Sequence, residues 1–282
     1  MIIVTGATGQ LGRLVVEHLL ARVPVERIGV SVREPGKAED LADRGVRVRQ
    51  GDFDDPGSLA YAFEGAARVL VVSGPADAAP HRTAIEAATA AGAKRIVYTS
   101  HMGANPASPF LPMPAHAETE RDLSASGVPF TALRNGFYAA TIVQVIGQGL
   151  RDGQIVAPAD GPVSWTAHAD LAEAAAVALT EEGGLDGITP PLTGPEALDL
   201  TDIAAVASEL TGREITRVTV PDDEWITGVV SRGVPEGQAR FLLGMYEASR
   251  QGEFAEVGPA LGEVLGRKPT AFRDVLAATL TP

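Results

Sequence analysis

Over its first 135 residues the chain alternates between short β-branched runs and longer alanine-rich stretches, a rhythm that few folds accept. Ile2–Thr5, Ile28–Val32, Val46–Arg49, Val69–Ser73, Ile96–Thr99 and Phe130–Leu133 read as strands. They are largely apolar throughout, as suits parallel strands covered on both faces. Helical periodicity fills the gaps at 10–22, 36–44, 56–65, 80–91 and 115–126, with Pro56 near one start and Gly45, Gly65, Gly92 and Gly127 at helix ends. The pattern predicts an α/β fold: a doubly wound parallel sheet of Rossmann type, with its ligand crevice at the carboxyl ends of the strands.

Beyond Arg134 the rhythm loosens. A helix is expected at 138–149, then extended segments at Gln154–Val156 and Val163–Thr166 and a helix at 170–181. Further helices are expected at 201–211, 222–231, 236–250 and 270–279. We therefore expect an NAD(P)-binding domain over residues 1–150 and a smaller, mainly helical C-terminal lobe over 151–282 that binds substrate. Segments near 165–182 are expected to return to the first domain. Trp225, Phe241 and Tyr246 can form a lid over the pocket or simply a helical core.

Composition removes several kinds of chemistry. Cysteine is absent, so disulfides, thiolate nucleophiles and iron–sulfur clusters are excluded. Histidines stand at 18, 81, 101, 116 and 168 without metal-ligand spacing, and no metal is expected. Ser100 lacks the G-x-S-x-G elbow of a hydrolase. A net charge of −13 repels nucleic-acid phosphates and anionic membranes, so neither is an expected partner. No apolar run approaches the roughly 18–20 residues of a membrane span. Met1-Ile2-Ile3-Val4-Thr5 reads directly as a strand, so a cytoplasmic location is expected. An oligomer is possible.

The first strand runs into Thr5-Gly6-Ala7-Thr8-Gly9-Gln10-Leu11-Gly12, which opens the first helix. Gly6 can make the tight turn, Gly9 can admit a pyrophosphate, and Gly12 can let the helix pack close to the strand. Exposed N–H groups at the helix start, from Thr8 to Leu11, then hold the negative charge. The second strand ends at Arg33, where an arginine suits the 2′-phosphate of NADP, although Glu34 beside it is an alternative ribose ligand. Two more strand-end loops are candidates. In Gly51-Asp52-Phe53, Asp52 can meet the adenine amino group or cap the next helix, and Phe53 can lie against the base. In Ser73-Gly74-Pro75, the small residues can let the ribose pass.

These motifs, with Tyr98-Thr99-Ser100, His116–Glu120, Leu133-Arg134-Asn135-Gly136-Phe137-Tyr138 and the late Leu265-Gly266-Arg267-Lys268-Pro269-Thr270, resemble the NmrA-like, atypical short-chain dehydrogenase group. Within it the chain is most similar to the bacterial NAD(P)H:quinone oxidoreductases. The resemblance implies an oxidoreductase with NADPH as preferred cofactor, Ser100 among the cofactor contacts, and a small aromatic or quinone substrate. One departure matters. The Tyr-x-x-x-Lys pair of typical short-chain dehydrogenases is missing, because Met102 stands four residues after Tyr98. His116 occupies the helical position where related reductases carry a lysine. It can bind the nicotinamide ribose, face the substrate, or lie on the surface of the helix's first turn.

The missing acid fits quinones better than ketones. Reduction of an isolated ketone leaves an alkoxide whose conjugate acid has a pKa near that of water, about 15.7, and demands a positioned acid. A quinone leaves a phenolate-like anion with a conjugate acid near about 10. We therefore expect hydride transfer from NADPH to a quinone, with His116, Asn135 and Tyr138 as the candidate catalytic residues. His101, Met102, Phe137 and Tyr138 are the candidate substrate contacts, though the two aromatics can equally pack the lobe interface. Other readings of the same residues are a reductase of a polycyclic aromatic quinone in a biosynthetic tailoring pathway and a non-catalytic dinucleotide sensor with a protein partner.

Overall fold

The apolar runs do become parallel strands. The computed structural model describes residues 1–74, 76–181 and 183–280, so Pro75 of the third candidate loop lies outside the described residues. The strands of the first half are β1 (Ile2–Thr5), β2 (Ile28–Val32), β3 (Arg47–Gln50), β4 (Arg68–Val71), β5 (Arg95–His101) and β6 (Phe130–Asn135). Between them lie α1 (Gln10–Leu20), α2 (Glu39–Asp43), α3 (Pro56–Ala62), α4 (Ala78–Ala90) and α5 (Pro112–Ala125). Next come α6 (Ala139–Asp152), β7 (Gln154–Ala157), α7 (His168–Thr180) and β8 (Gly187–Ile188). The chain ends with α8 (Leu200–Thr211), β9 (Thr216–Thr219), α9 (Asp222–Ser231), α10 (Glu236–Arg250), α11 (Ala260–Leu265) and α12 (Phe272–Leu280).

The main sheet is parallel, in the order β3-β2-β1-β4-β5-β6-β8. Strand order reverses between β1 and β4, which opens a crevice at their carboxyl ends. Side chains along each strand alternate between two cores. Ile2, Val4, Leu70, Val97 and Leu133 meet Leu11, Val15 and Leu19 of α1 and Leu171 of α7. Ile3, Val69, Val71, Ile96 and Tyr98 meet Leu59 of α3, Ile85 of α4 and Leu123 of α5. A third core joins Ile142 and Ile146 of α6 to Ile203, Trp225, Tyr246, Phe272 and Leu276 of the later helices, beside the two-stranded parallel sheet β7-β9. Trp225 and Tyr246 are thus core residues rather than a lid, while Phe241 packs on Phe110.

Several sequence expectations shift. Val163–Thr166 forms no strand, because Val163 and Thr166 each make one isolated bridge, to Leu198 and Tyr138. The helix expected at 115–126 begins at Pro112, the fixed proline φ suiting a first turn, and this carries His116 into the interior at 9% exposure. Asp52 does not cap the following helix. Asp55 does, accepting from the N–H groups of Gly57 and Ser58, while Asp52 closes a turn on the N–H of Asp54. Asp170 lies inside the first turn of α7. Its buried carboxylate accepts from the Thr270 N–H at 2.6 Å and pairs with Arg267 at 2.8 Å, pinning the last segment to α7.

The glycine-rich turn is built as its spacing requires. Gly6 adopts φ +61°, open to glycine at no steric cost. A Cβ on Gly12 would stand 2.4 Å from the Gly6 carbonyl oxygen and 3.0 Å from the Ala7 Cα, both rigid backbone. Gly12→Ala should therefore lower the unfolding free energy by about 1–3 kcal/mol in urea titrations. It should also weaken NADPH binding at least tenfold in fluorescence titrations, because α1 must back away from β1. Wild-type values for both would mean that the turn tolerates the displacement.

Candidate active site

Two connected cavities fill the crevice. The first, about 410 Å³, is walled by the ends of β1, β2 and β4 and includes Gly6, Thr8, Gly9, Arg33, Asp52, Phe53, Ser73 and Gly74. Arg33 is exposed at its rim and hydrogen-bonds to no described residue, leaving its fork free for a phosphate. Glu34, the alternative ribose ligand, is instead tied to Lys37 at 2.7 Å, which holds its carboxyl below the usual range, and it does not wall the cavity. The Ser31 hydroxyl, another wall, is buried without a partner. Thr5 Oγ1 accepts the Val72 N–H and Thr99 Oγ1 accepts the Ser73 N–H, which hold the β4 loop back from the opening. A glycine cradle too tight for a Cβ, an unpaired arginine and an orphaned hydroxyl fit a phosphorylated dinucleotide.

The second cavity, about 350 Å³, continues past Gly6, Gly9, Ser73 and Gly74. Gln10 and Leu11 form its α1 side, and Ser100, His101, Phe110, Met113, His116, Phe137, Tyr138 and His168 form the rest. None of its walls carries Asp, Glu, Lys or Arg. The rings interlock: Phe137 stands edge-on to His101 at 5.1 Å between centroids and lies stacked near Phe110 at 5.9 Å, and Tyr138 lies over His168 at 4.2 Å.

Behind these walls a group of polar side chains is engaged. Ser100 donates its hydroxyl to Glu120 Oε1 at 2.7 Å. Arg134 clamps the same carboxylate bidentately, with Nε to Oε1 at 2.9 Å and a terminal nitrogen to Oε2 at 2.7 Å. Ser100 thus turns a lone pair, not a proton, to the cavity. Burial drives His81 down to about 4 and His101 down to about 3, and it also pushes His116 well below its ordinary value. Each imidazole is therefore neutral at physiological pH. Burial also raises the Tyr138 phenol, partly offset by the nearby Asn135 amide. Tyr138 walls the cavity and has no lysine four residues on.

The remaining candidates are placed as follows. Met102 is turned away from both cavities, its sulfur accepting from the Ser164 hydroxyl within the lobe core. Asn135 is buried behind the walls, its amide near the Tyr138 phenol but outside good hydrogen-bond geometry. Phe137 and Tyr138 do line the cavity, and so does His101, which ends β5 instead of following it. Sequence reasoning missed Phe110, Met113 and His168 as walls and Tyr98 as the partner of His116. The first two sit in an irregular segment and at a helix start, where no periodicity points inward. Tyr98 was legible only as a core residue of β5. Among the described residues no cluster of His, Asp and Glu is placed to hold a metal.

Fold and cavities together define a Rossmann-type protein with an aromatic chamber beside a cleft whose residues fit a phosphorylated dinucleotide. The chain belongs to the NmrA-like family, which it matches over residues 1–274. Quinone oxidoreductase 2 of Escherichia coli is 35% identical over 278 residues, covering 97% of this chain and 96% of that protein. The crystal structure of the Escherichia coli NADPH-dependent quinone oxidoreductase complexed with NADPH matches with a TM-score of 0.94 at 34% identity, covering 100% of both chains. That of Citrobacter sp. triphenylmethane reductase complexed with NADP(H) matches at 0.92 and 35% identity, covering 99% of this chain and 100% of that one.

The depressed histidines make stability depend on pH. An unfolded histidine takes up a proton near 6.5, whereas folded His101 resists until about 3, so its contribution is intact above pH 6.5 and is lost as pH falls from there toward 3. Between pH 7 and pH 5 this one residue should remove about 2 kcal/mol of unfolding free energy. Urea unfolding of wild type and His101→Leu at both pH values checks this. The variant should show a pH-dependent loss smaller by about that amount, and equal losses would place the folded His101 near its ordinary value.

Proposed function

We propose that this chain is an NADPH-dependent reductase that passes hydride to a neutral quinone. The observation that carries the reading is the uncharged, ring-lined chamber opening directly off a dinucleotide cleft with a free arginine at its phosphate end. Bound NADPH supplies the hydride. The chain's own residues hold the acceptor. Phe137, Tyr138 and Phe110 offer faces and edges for a planar ring, and His116 presents its free edge to the acceptor oxygen. The anion formed on a quinone oxygen is delocalised over its own ring, so a neutral histidine donor suffices and solvent completes protonation. The similarity to the Escherichia coli quinone oxidoreductase, at 34–35% identity over nearly the whole chain, supports the same chemistry.

The tailoring-pathway and sensor readings rest on no observation of their own. The enzyme works in the cytoplasm on small molecules. No helix among the described residues is long and apolar enough to cross a membrane, and the charge of −13 disfavours binding to nucleic acid.

NADPH oxidation by the purified protein under nitrogen should be saturable with a neutral benzoquinone and at least tenfold slower in kcat/KM with its sulfonated analogue, whose charge would have to enter an uncharged chamber at a cost of at least about 1.4 kcal/mol. Arg33→Gln should raise KM for NADPH about 10- to 100-fold and leave that for NADH nearly unchanged, as expected for a charge-assisted phosphate contact worth about 1.5–3 kcal/mol. Absence of turnover alongside tight NADP binding would return the protein to the sensor reading.

A further inference from the structure

A hydrogen-bonded chain runs from the dinucleotide cleft to His116, and the donors, acceptors and distances along it favour one arrangement. The Gly74 N–H, in the cleft wall, donates to His81 Nε2 at 3.0 Å. A backbone N–H only donates, so Nε2 is an acceptor and the His81 proton sits on Nδ1. Thr119 agrees: its hydroxyl donates to the Ala115 carbonyl at 2.8 Å and so accepts from His81 Nδ1 at 3.1 Å. The same Nδ1–H lies 3.4 Å from the Tyr98 hydroxyl oxygen. The Tyr98 hydroxyl also lies near Thr119, but its shortest contact is to His116 Nδ1, at 2.7 Å, and the Tyr98 proton is assigned there. Tyr98 itself is fully buried on β5, and burial keeps its phenol protonated.

We infer that Tyr98, held by His81, is a positioning residue that fixes His116 as the tautomer with its proton on Nε2, so that His116 offers the chamber a neutral N–H donor rather than an acceptor. Nε2 makes no hydrogen bond to a described residue, and it occupies the ring edge opposite the one Tyr98 engages. Ser100, whose proton is committed to Glu120, supplies no donor of its own there. The oxygen that gains negative charge as a quinone is reduced would thus meet one prepared donor. A donor aimed at developing charge accelerates the step without having to transfer its proton. The link to Gly74 ties this arrangement to the loop bordering the dinucleotide.

The inference rests on the quinone-reductase reading for its catalytic consequence and on the hydrogen bonds alone for the tautomer, so the two are tested separately. Nitrogen-15 NMR of the full chain with labelled histidine, His116→Gln serving to assign the resonances, should show a pyridine-type Nδ1 and a pyrrole-type Nε2 at His116 near pH 7. His81 should show the reverse. The opposite tautomer at His116, or a doubly protonated ring, would overturn the inference, and the measurement needs no substrate. Tyr98→Phe should leave His116 in an averaged tautomer mixture. In that variant kcat for benzoquinone should fall about tenfold while KM for NADPH stays within about twofold. An unchanged tautomer in Tyr98→Phe would sink the positioning role. A redistributed tautomer with unchanged kcat would instead remove His116 from the reaction.

Discussion

Helix α1 reaches the end of β1 only because Gly12 carries no side chain against the Gly6 carbonyl. That close approach sets where the helix begins, and so where its unpaired N–H groups point. With the strand order reversing between β1 and β4, those groups face an open crevice instead of a neighbouring loop. Thr5 and Thr99 keep the crevice open by holding the β4 loop with their hydroxyls. The cleft for the dinucleotide is therefore a consequence of packing already completed before any ligand arrives.

The chamber beyond it rests on a different device. Glu120 is 3% exposed and would be costly to bury as a lone charge, but Arg134 meets it bidentately from β6 and Ser100 from β5. The clamp joins α5 to two strands just where His116, one turn earlier on the same helix, enters the wall. Against this fixed frame Phe110 and Phe137 stack on one another and Phe254 stands edge-on to both, so the wall is shaped by aromatic geometry rather than by flexible aliphatic chains. Neutral buried histidines complete a surface with hydrogen-bonding capacity and no net charge.

How much was legible follows from which residues act locally. The glycine turn, Arg33, Phe53, Ser73 and Gly74 all sit at strand ends, where alternation in the sequence fixes position within a residue or two, and all of them wall the first cavity. The walls of the chamber were read less well. Met102 and His101 are neighbours in sequence, yet β5 continues through His101 and sends Met102 into the lobe core. Asp52 and Asp55 both carry the chemistry of a cap, and only the backbone geometry assigns it to Asp55. Phe110 and Met113 come from the entry to α5 and His168 from the start of α7, and no local pattern announces their convergence.

By itself the sequence determined the doubly wound sheet, the glycine-rich turn at the end of β1 and the absence of a tyrosine–lysine acid pair. These depend on short-range periodicity, on glycine's missing side chain and on which residue types are present at all. Only the tertiary structure decided that His116 is buried rather than on the surface, that Tyr98 and His81 stand behind it, and that the chamber's walls carry no charge. Burial and hydrogen-bond partnership are properties of residues far apart in the chain, such as Gly74, Tyr98 and Thr119. They come into existence when the α4 and α5 helices close on one face of the sheet.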